Sequence, residues 1–286
     1  MQDKSSQSIR PNLLLQTGLC VIWLFLSAVS TNAQTYKTRP ITALLGAFDE
    51  EVKLVQKSLK NPKSRTLNGI HFMTGRINGR KVVVAETGIG KVNAAMTTAF
   101  VLAYFKPEQV LFTGIAGGTN PDLQPGDIVI ARQTAHHDYG YITFQQQKTN
   151  QTRNAITKQL NPTYFPADSI MMHAAQEAAK TVPFESIPST SRPPSIIVGT
   201  VVTGDVFVSS EEKVASLWSE FKADATEMEG AAVAQVCYQQ QVPCLVIRSL
   251  SDKANSNARQ DMLTFFKIAA RNSANLVMTI VGKLQP

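Results

Sequence analysis

Short apolar runs recur along the chain, each closed by small or charged residues, and they set out most of its elements. Ile41-Thr42-Ala43-Leu44-Leu45 reads as a buried strand. Asp49-Glu50-Glu51 then opens a helix whose apolar face is Val52, Leu54, Val55 and Leu59; acids in a first turn complement the helix dipole. Residues 69–76 and 81–86 are β-rich and flank Asn78-Gly79, the dipeptide suited to a two-residue hairpin turn. Residues 109–113, 126–131, 195–202 and 243–250 predict four further strands, and 169–180 and 260–283 two helices. Residues 142–166 are polar and read as a surface excursion, and 188–194 as a Pro/Ser-rich loop. Strands and helices mix, hairpins included, so the fold class is α/β with a mixed sheet.

Residues 1–33 read differently from the rest. Lys4 and Arg10 precede an apolar centre, Leu19-Cys20-Val21-Ile22-Trp23-Leu24-Phe25-Leu26, and Thr31-Asn32-Ala33 offers small residues before Gln34. This is the pattern of a secretory signal peptide, with an uncleaved anchor helix as the alternative. The expectation is a folded domain over 34–286, exported and periplasmic, with no membrane association after cleavage. The apolar run is short for a span, and no long uncharged apolar run follows it.

The chain has 286 residues, 43% hydrophobic and 17% charged, which suits one large globular domain or two small ones. Its formal charge is +7. The cations read as spread along the chain, without a run dense enough for nucleic acid, so the charge is taken as a solubility feature. A weak attraction to anionic surfaces stays open. Cys237 and Cys244 are the cysteines beyond the leader, and without a cysteine framework they read as buried thiols ahead of a disulfide.

Candidate chemistry centres on Ala225-Thr226-Glu227-Met228-Glu229-Gly230-Ala231-Ala232, two carboxylates and a thioether ahead of a small-residue helix. One reading is a capping box, Thr226-x-x-Glu229. The other is a ligand site, because the next apolar strand ends in Ser251-Asp252 and ligands of open α/β sheets bind at the carboxyl ends of strands. Three further strand ends carry unusual turns: Gly46 to Glu51, Thr87-Gly88-Ile89-Gly90, and Thr203-Gly204-Asp205-Val206-Phe207-Val208. Gly114-Ile115-Ala116-Gly117-Gly118 reads as another small-residue turn. The glycines suit close backbone approach to a ligand and lack the spacing of a P-loop or dinucleotide fingerprint. His136-His137-Asp138 has the residue types of a metal site, but no second cluster completes one, and a buried or hydrogen-bonded pair is the stronger reading.

Taken in order, these motifs resemble the nucleoside phosphorylase/nucleosidase superfamily, and most closely the bacterial 5′-methylthioadenosine/S-adenosylhomocysteine nucleosidases. The similarity rests on Gly46-Ala47-Phe48-Asp49-Glu50-Glu51, Thr87-Gly88-Ile89-Gly90-Lys91-Val92, Thr113 to Gly118, Thr203 to Phe207, Glu227-Met228-Glu229 and Ser251-Asp252. The resemblance implies a single α/β domain, a twisted mixed central sheet flanked by helices in three layers, a homodimer, no metal or organic cofactor, and hydrolysis of an adenine–ribose bond. It implies Asp252 as general acid oriented by Ser251, and Glu51 holding a water with Arg248 nearby. Glu229 would bind the ribose hydroxyls, with Glu227 beside it and Met228 packed on the sugar. Phe207 would stack on the base and the Val208 backbone read its edge, while Phe48 and Ile89 line the sugar and 5′ pocket. Ile115 departs from a serine common in the family, and 142–166 has no counterpart there. Two rival readings stand: a phosphorylase of the same fold, and an exported nucleoside-binding protein without catalysis.

Overall fold

Every residue of β12 (Cys244–Asp252) is buried, as a strand covered on both faces requires. It runs parallel to β5 (Gln109–Gly118), in register from Cys244 opposite Val110 to Leu250 opposite Ala116, and antiparallel to β6 (Ile128–His136). The computed structural model describes residues 40–144, 147–188 and 190–284; the leader read over 1–33 lies outside them.

From β5 the sheet continues through β1 (Ile41–Gly46), β4 (Arg80–Glu86) and β3 (Ile70–Ile77) to β2 (Lys60–Leu67) at its margin. From β6 it continues to β10 (Ile196–Thr203) and β11 (Ala225–Glu227). β11 also pairs antiparallel with the far end of β5, Ala225 opposite Gly118 and Thr226 opposite Gly117. The pairings β5, β12, β6, β10, β11 and back to β5 therefore form a closed circuit, while β1, β4, β3 and β2 extend from it as an open sheet.

Helices cover both faces. Val101 of α2 (Lys91–Phe105) and Val233 of α5 (Gly230–Gln239) pack with Phe72, Val83, Phe112 and Val129. On the other face, Val55 of α1 (Asp49–Lys57), Met171 of α3 (Ser169–Ala179) and Ile280 of α6 (Ala258–Lys283) pack with Leu44, Val84, Leu111, Ile130 and Leu245. A fully buried Leu, Ile or Phe contributes about 1.5–3 kcal/mol by burial. These two clusters clamp the sheet from both faces, so its strand ends can act as a fixed frame.

The α/β class, the mixed sheet and the three layers are as expected, as is the hairpin: Asn78 and Gly79 both have positive φ, 49° and 81°, and β3 pairs with β4 across them. Several elements differ. Residues 60–67 carry no apolar alternation yet form β2, exposed along nearly all its length, because an edge strand needs only one partner and no buried face. Gly114 to Gly118 is not a turn; β5 runs through it, with its small residues admitting side chains from β12 and α1. α4 (Glu211–Phe221), capped by Ser210, was not anticipated. The excursion at 142–166 contains β8 (Gln147–Thr149), paired with β7 (Gly140–Ile142), and β9 (Phe165–Pro166) on β6. Within it, buried Asn154 accepts from the backbone of Ile156 and Thr157. Cys237 and Cys244 are buried free thiols.

The charge is less evenly spread than its sequence reading holds. Residues 57–81 carry Lys57, Lys60, Lys63, Arg65, Arg76, Arg80 and Lys81 and no acid, which equals the whole formal charge of +7.

Candidate active site

The carboxyl ends of β1, β5, β10, β11 and β12 meet above the sheet, and the acids scattered from residue 51 to 252 meet with them. Glu51, in the first turn of α1, does not face solvent. Its Oε2 accepts from the backbone of Ala47 at 2.5 Å and Phe48 at 3.3 Å, and Oε1 from the backbone of Ile115 at 3.0 Å. A Cβ on Gly114 would lie 2.5 Å from Glu51 Oε1 and 2.7 Å from Arg248 Nη1. Glycine there is the condition for the acid's position. Burial raises the Glu51 carboxyl to about 7, against the opposing pull of Arg248 and the three backbone donors.

Asp252 closes β12. Ser251 Oγ donates to its Oδ2 at 2.7 Å and the Ala254 backbone to Oδ1 at 2.7 Å. Burial raises it to about 6 despite both bonds. A carboxyl held at fixed rotation and titrating near neutrality is suited to proton transfer.

Glu227 and Glu229 are separated by one residue but differ in use. Glu227 accepts from Thr203 Oγ1, the backbones of Glu229 (3.0 Å) and Gly230 (2.8 and 2.9 Å), and Arg248 Nη2 (2.6 Å). It caps α5 and neutralises Arg248, so the capping-box reading through Thr226 and Glu229 is replaced by a cap through Glu227. Its lone pairs are taken, which makes it an organiser of the site. Glu229 accepts from the Gly90 backbone at 2.8 Å and otherwise faces the cavity. Burial, then the adjacent Glu227, raises it above the ordinary carboxylate range. Arg248 is fully buried with its guanidinium 4.2 Å from the Phe112 ring centre. Burial works to lower its pKa, but Glu227, Glu51 and Glu229 outweigh that and keep it charged.

A cavity of about 150 Å³ sits over these groups. Phe48, Ile89, Phe207, Val208, Glu227, Met228, Glu229, Ser251 and Asp252 line it, so the structure brings together nine of the anticipated residues. Glu51 and Arg248 lie beneath, behind Ile115 and Glu227. The lining also includes Ala116, Gly117, Val206, Thr226 and Met262, which the sequence reading did not single out. Ala116, Gly117, Val206 and Thr226 lie inside motifs that were noticed; Met262 is placed by α6 alone, and nothing local to it signals a site. Thr226 Oγ1 is buried without a partner among the described residues.

Two loops form the cavity walls, and one network ties them. Lys91 Nζ bonds Asp138 Oδ1 at 2.6 Å, Asp138 Oδ2 accepts from the Asp205 backbone at 2.8 Å, and Asp205 Oδ1 accepts from the Lys91 backbone at 2.7 Å. The Ile89 loop is thereby fixed to the Phe207 loop. His136 Nε2 meets Gln235 Oε1 at 3.0 Å. His137 is buried behind the network, and burial, with Lys213 next, lowers it to about 4. Among the described residues no three His, Cys, Asp or Glu converge to hold a metal.

The sequence pattern of the phosphorylase superfamily matches residues 41–282. A 5′-methylthioadenosine/S-adenosylhomocysteine nucleosidase of Psychromonas ingrahamii is 38% identical over 242 residues, 84% of this chain and 98% of its own. A solved structure of such a nucleosidase from Colwellia psychrerythraea, in complex with adenine, superposes with a TM-score of 0.75 at 33% identity and covers 86% of this chain and 96% of that one. The Neisseria meningitidis protein in complex with methylthio-immucillin-A gives 0.71 at 35%, with coverages of 85% and 99%.

Proposed function

Given that the chain belongs to the phosphorylase superfamily, we propose that it is a purine nucleosidase that hydrolyses the N-glycosidic bond of 5′-methylthioadenosine/S-adenosylhomocysteine-like nucleosides and releases adenine. The observation that carries this reading is the convergence of Asp252 and Glu229 on one cavity lined by Phe207, with Glu51 beneath it behind Ile115. The relatives named for that activity agree with it.

Cleavage of such a bond passes through an oxocarbenium-like state, and two carboxyl groups serve it. Phe207 stacks on the base. Protonated Asp252 gives its proton to N7 of the purine as the C–N bond breaks, so the base leaves neutral. Ionised Glu51 orients a water at the anomeric carbon and takes its proton as the new C–O bond forms. Glu229 holds the ribose hydroxyls, and its approach to the sugar is set by Gly90 and by the cap that Glu227 supplies. Met228 and Phe48 pack on the sugar, and Ile89 on the 5′ side.

A phosphorylase would need donors for phosphate. Among the described residues lining the cavity there is no Lys or Arg, and Arg248 is committed to Glu227. Phosphate would meet Glu51 and Glu229 instead, which favours water. The test is base release from methylthioadenosine, with and without phosphate. Adenine plus free methylthioribose without phosphate supports the hydrolase. A sugar phosphate formed only with phosphate replaces it with the phosphorylase, and nucleoside binding without turnover with the binder.

Two further parts of the reading rest on separate features. We propose a homodimer, supported by exposed Val92 and Met96 on α2 and exposed Tyr141, Ile142 and Phe144 at the β7–β8 hairpin; light scattering tests it. Export to the periplasm is proposed from the leader over 1–33, and N-terminal sequencing of the protein from fractionated cells tests it.

A further inference from the structure

The open edge of the sheet, remote in the strand order from β11 and its Glu227, has a different chemistry. Seven Lys and Arg lie between residues 57 and 81 without one Asp or Glu, and the other cations of the chain are matched in number by its acids. Strand pairing concentrates them further. Lys60 is opposite Arg76 and Arg76 opposite Lys81, so three cations stand in one row across β2, β3 and β4. Like charges directly opposite on a sheet disfavour it. Among the described residues none of the seven forms a salt bridge. Lys60 and Arg76 also border a groove of about 430 Å³ whose walls include Asn78, Thr181, Asn275 and Thr279.

Protection of an edge strand from aggregation accounts for Lys60, Lys63 and Arg65, and for Pro62, all on β2. It does not account for Arg76, Arg80 and Lys81, which lie on the inner strands. Nor does the nucleosidase chemistry use any of the seven. We propose that the β2–β4 meander is a docking surface for anionic lipid headgroups, holding the enzyme against a negatively charged membrane face through residues that do not line the cavity. A nucleic-acid surface fits less well. The aromatic of this stretch, Phe72, is fully buried, so no stacking platform accompanies the cations. The row lies on a sheet face, without a helix to enter a groove. A lipid surface asks only for a broad field of exposed cations, whose pull adds with each Lys or Arg near the surface and fades within a Debye length.

The experiment uses the full chain and its Lys63→Glu/Arg65→Glu variant, with co-sedimentation on vesicles of phosphatidylcholine alone or mixed with phosphatidylglycerol. Both side chains are exposed and neither lines the cavity, so nucleosidase activity reports that the variant is folded. The expected result is binding to the mixed vesicles alone, reversed by high salt and weakened about tenfold or more in the variant. Equal binding by the two proteins would assign the association to another part of the chain and overturn the proposal. So would absence of vesicle binding, or preference for a double-stranded oligonucleotide that competes the protein off the vesicles.

Discussion

The carboxylate cup and the basic meander are both concentrations of like charge, and the fold treats them in opposite ways. Glu51, Glu227, Glu229 and Asp252 are all buried, drawn from three separate stretches of the chain, and each is held by backbone amides, a hydroxyl or Arg248. Lys57, Lys60, Lys63 and Arg65 are close in sequence and exposed, and among the described residues none of them forms a salt bridge. Burial converts charge into chemistry, since desolvation moves Glu51 to about 7 and Asp252 to about 6, within reach of proton transfer at neutral pH. Exposure leaves charge as a field, screened by salt. The same number of substitutions should therefore have very unequal effects in the two regions.

The largest effect belongs to Asp252→Asn, which keeps the shape and removes the proton. Loss of a positioned general acid lowers kcat by about 10²–10⁴-fold, read as adenine release, with little change in the unfolding midpoint. Retention of near-normal turnover would remove Asp252 from the mechanism. The pH profile supplies the sign. Asp252 must be protonated, so kcat/KM falls as pH rises past about 6; Glu51 must be ionised, so it falls as pH drops below about 7. The two limbs overlap into a narrow bell centred between those values, and they belong to the pair of groups jointly.

Glu227→Gln comes next and acts on the frame. It leaves Arg248 buried with a neutral partner. Removing one member of a buried ion pair costs about 3–5 kcal/mol, measured by urea unfolding. A cost under about 1 kcal/mol would mean that the Thr203, Glu229, Gly230 and Arg248 contacts do not hold the cup together, and the contrast with the exposed region would weaken. Asp138→Asn has a smaller effect. Its pair with Lys91 is partly exposed, and such pairs are worth about 1 kcal/mol or less. It also loosens the tie between the Ile89 and Phe207 loops, which Asp205 still holds through the Lys91 backbone. KM for the nucleoside should rise up to about fivefold with kcat nearly unchanged; an equal fall in kcat would place Asp138 nearer the reacting atoms than the structure does.

Legibility in the sequence follows the same division. Strands buried on both faces, such as β1 and β12, have apolar runs that declare them, and the Asn78-Gly79 turn has one structural use. The acids were legible as motifs at strand ends. Their division of labour was not, because whether Glu227 or Glu229 caps α5 depends on Thr203 and Arg248 arriving from β10 and β12. β2 was hidden, since an edge strand needs neither alternation nor apolar residues. Met262 reaches the cavity only through the placement of α6. Contacts made by elements distant in sequence leave no local trace. The cations of residues 57–81 left a plain one, and it was read as dispersed because spacing along the chain conceals the row that strand pairing makes.

The smallest expected effect probes that row from the inside. In Lys60→Glu, the new carboxylate stands opposite Arg76, turning a like-charge cross-strand pair into an opposite-charge one. Lys60 is exposed on the outermost strand, so burial and packing hardly change, and Lys and Glu are both mildly disfavoured in strands. What remains is the pair itself, worth about 0.2–1 kcal/mol at low salt. The variant should unfold at slightly higher urea than the parent, and the gain should shrink as salt rises and screening shortens the interaction. A gain that ignores salt would trace to the backbone or to packing. A loss of stability would mean that the groove beside Lys60 and Arg76 already gives the lysine a favourable place, and that the meander is not the strained, unanswered field its charges imply.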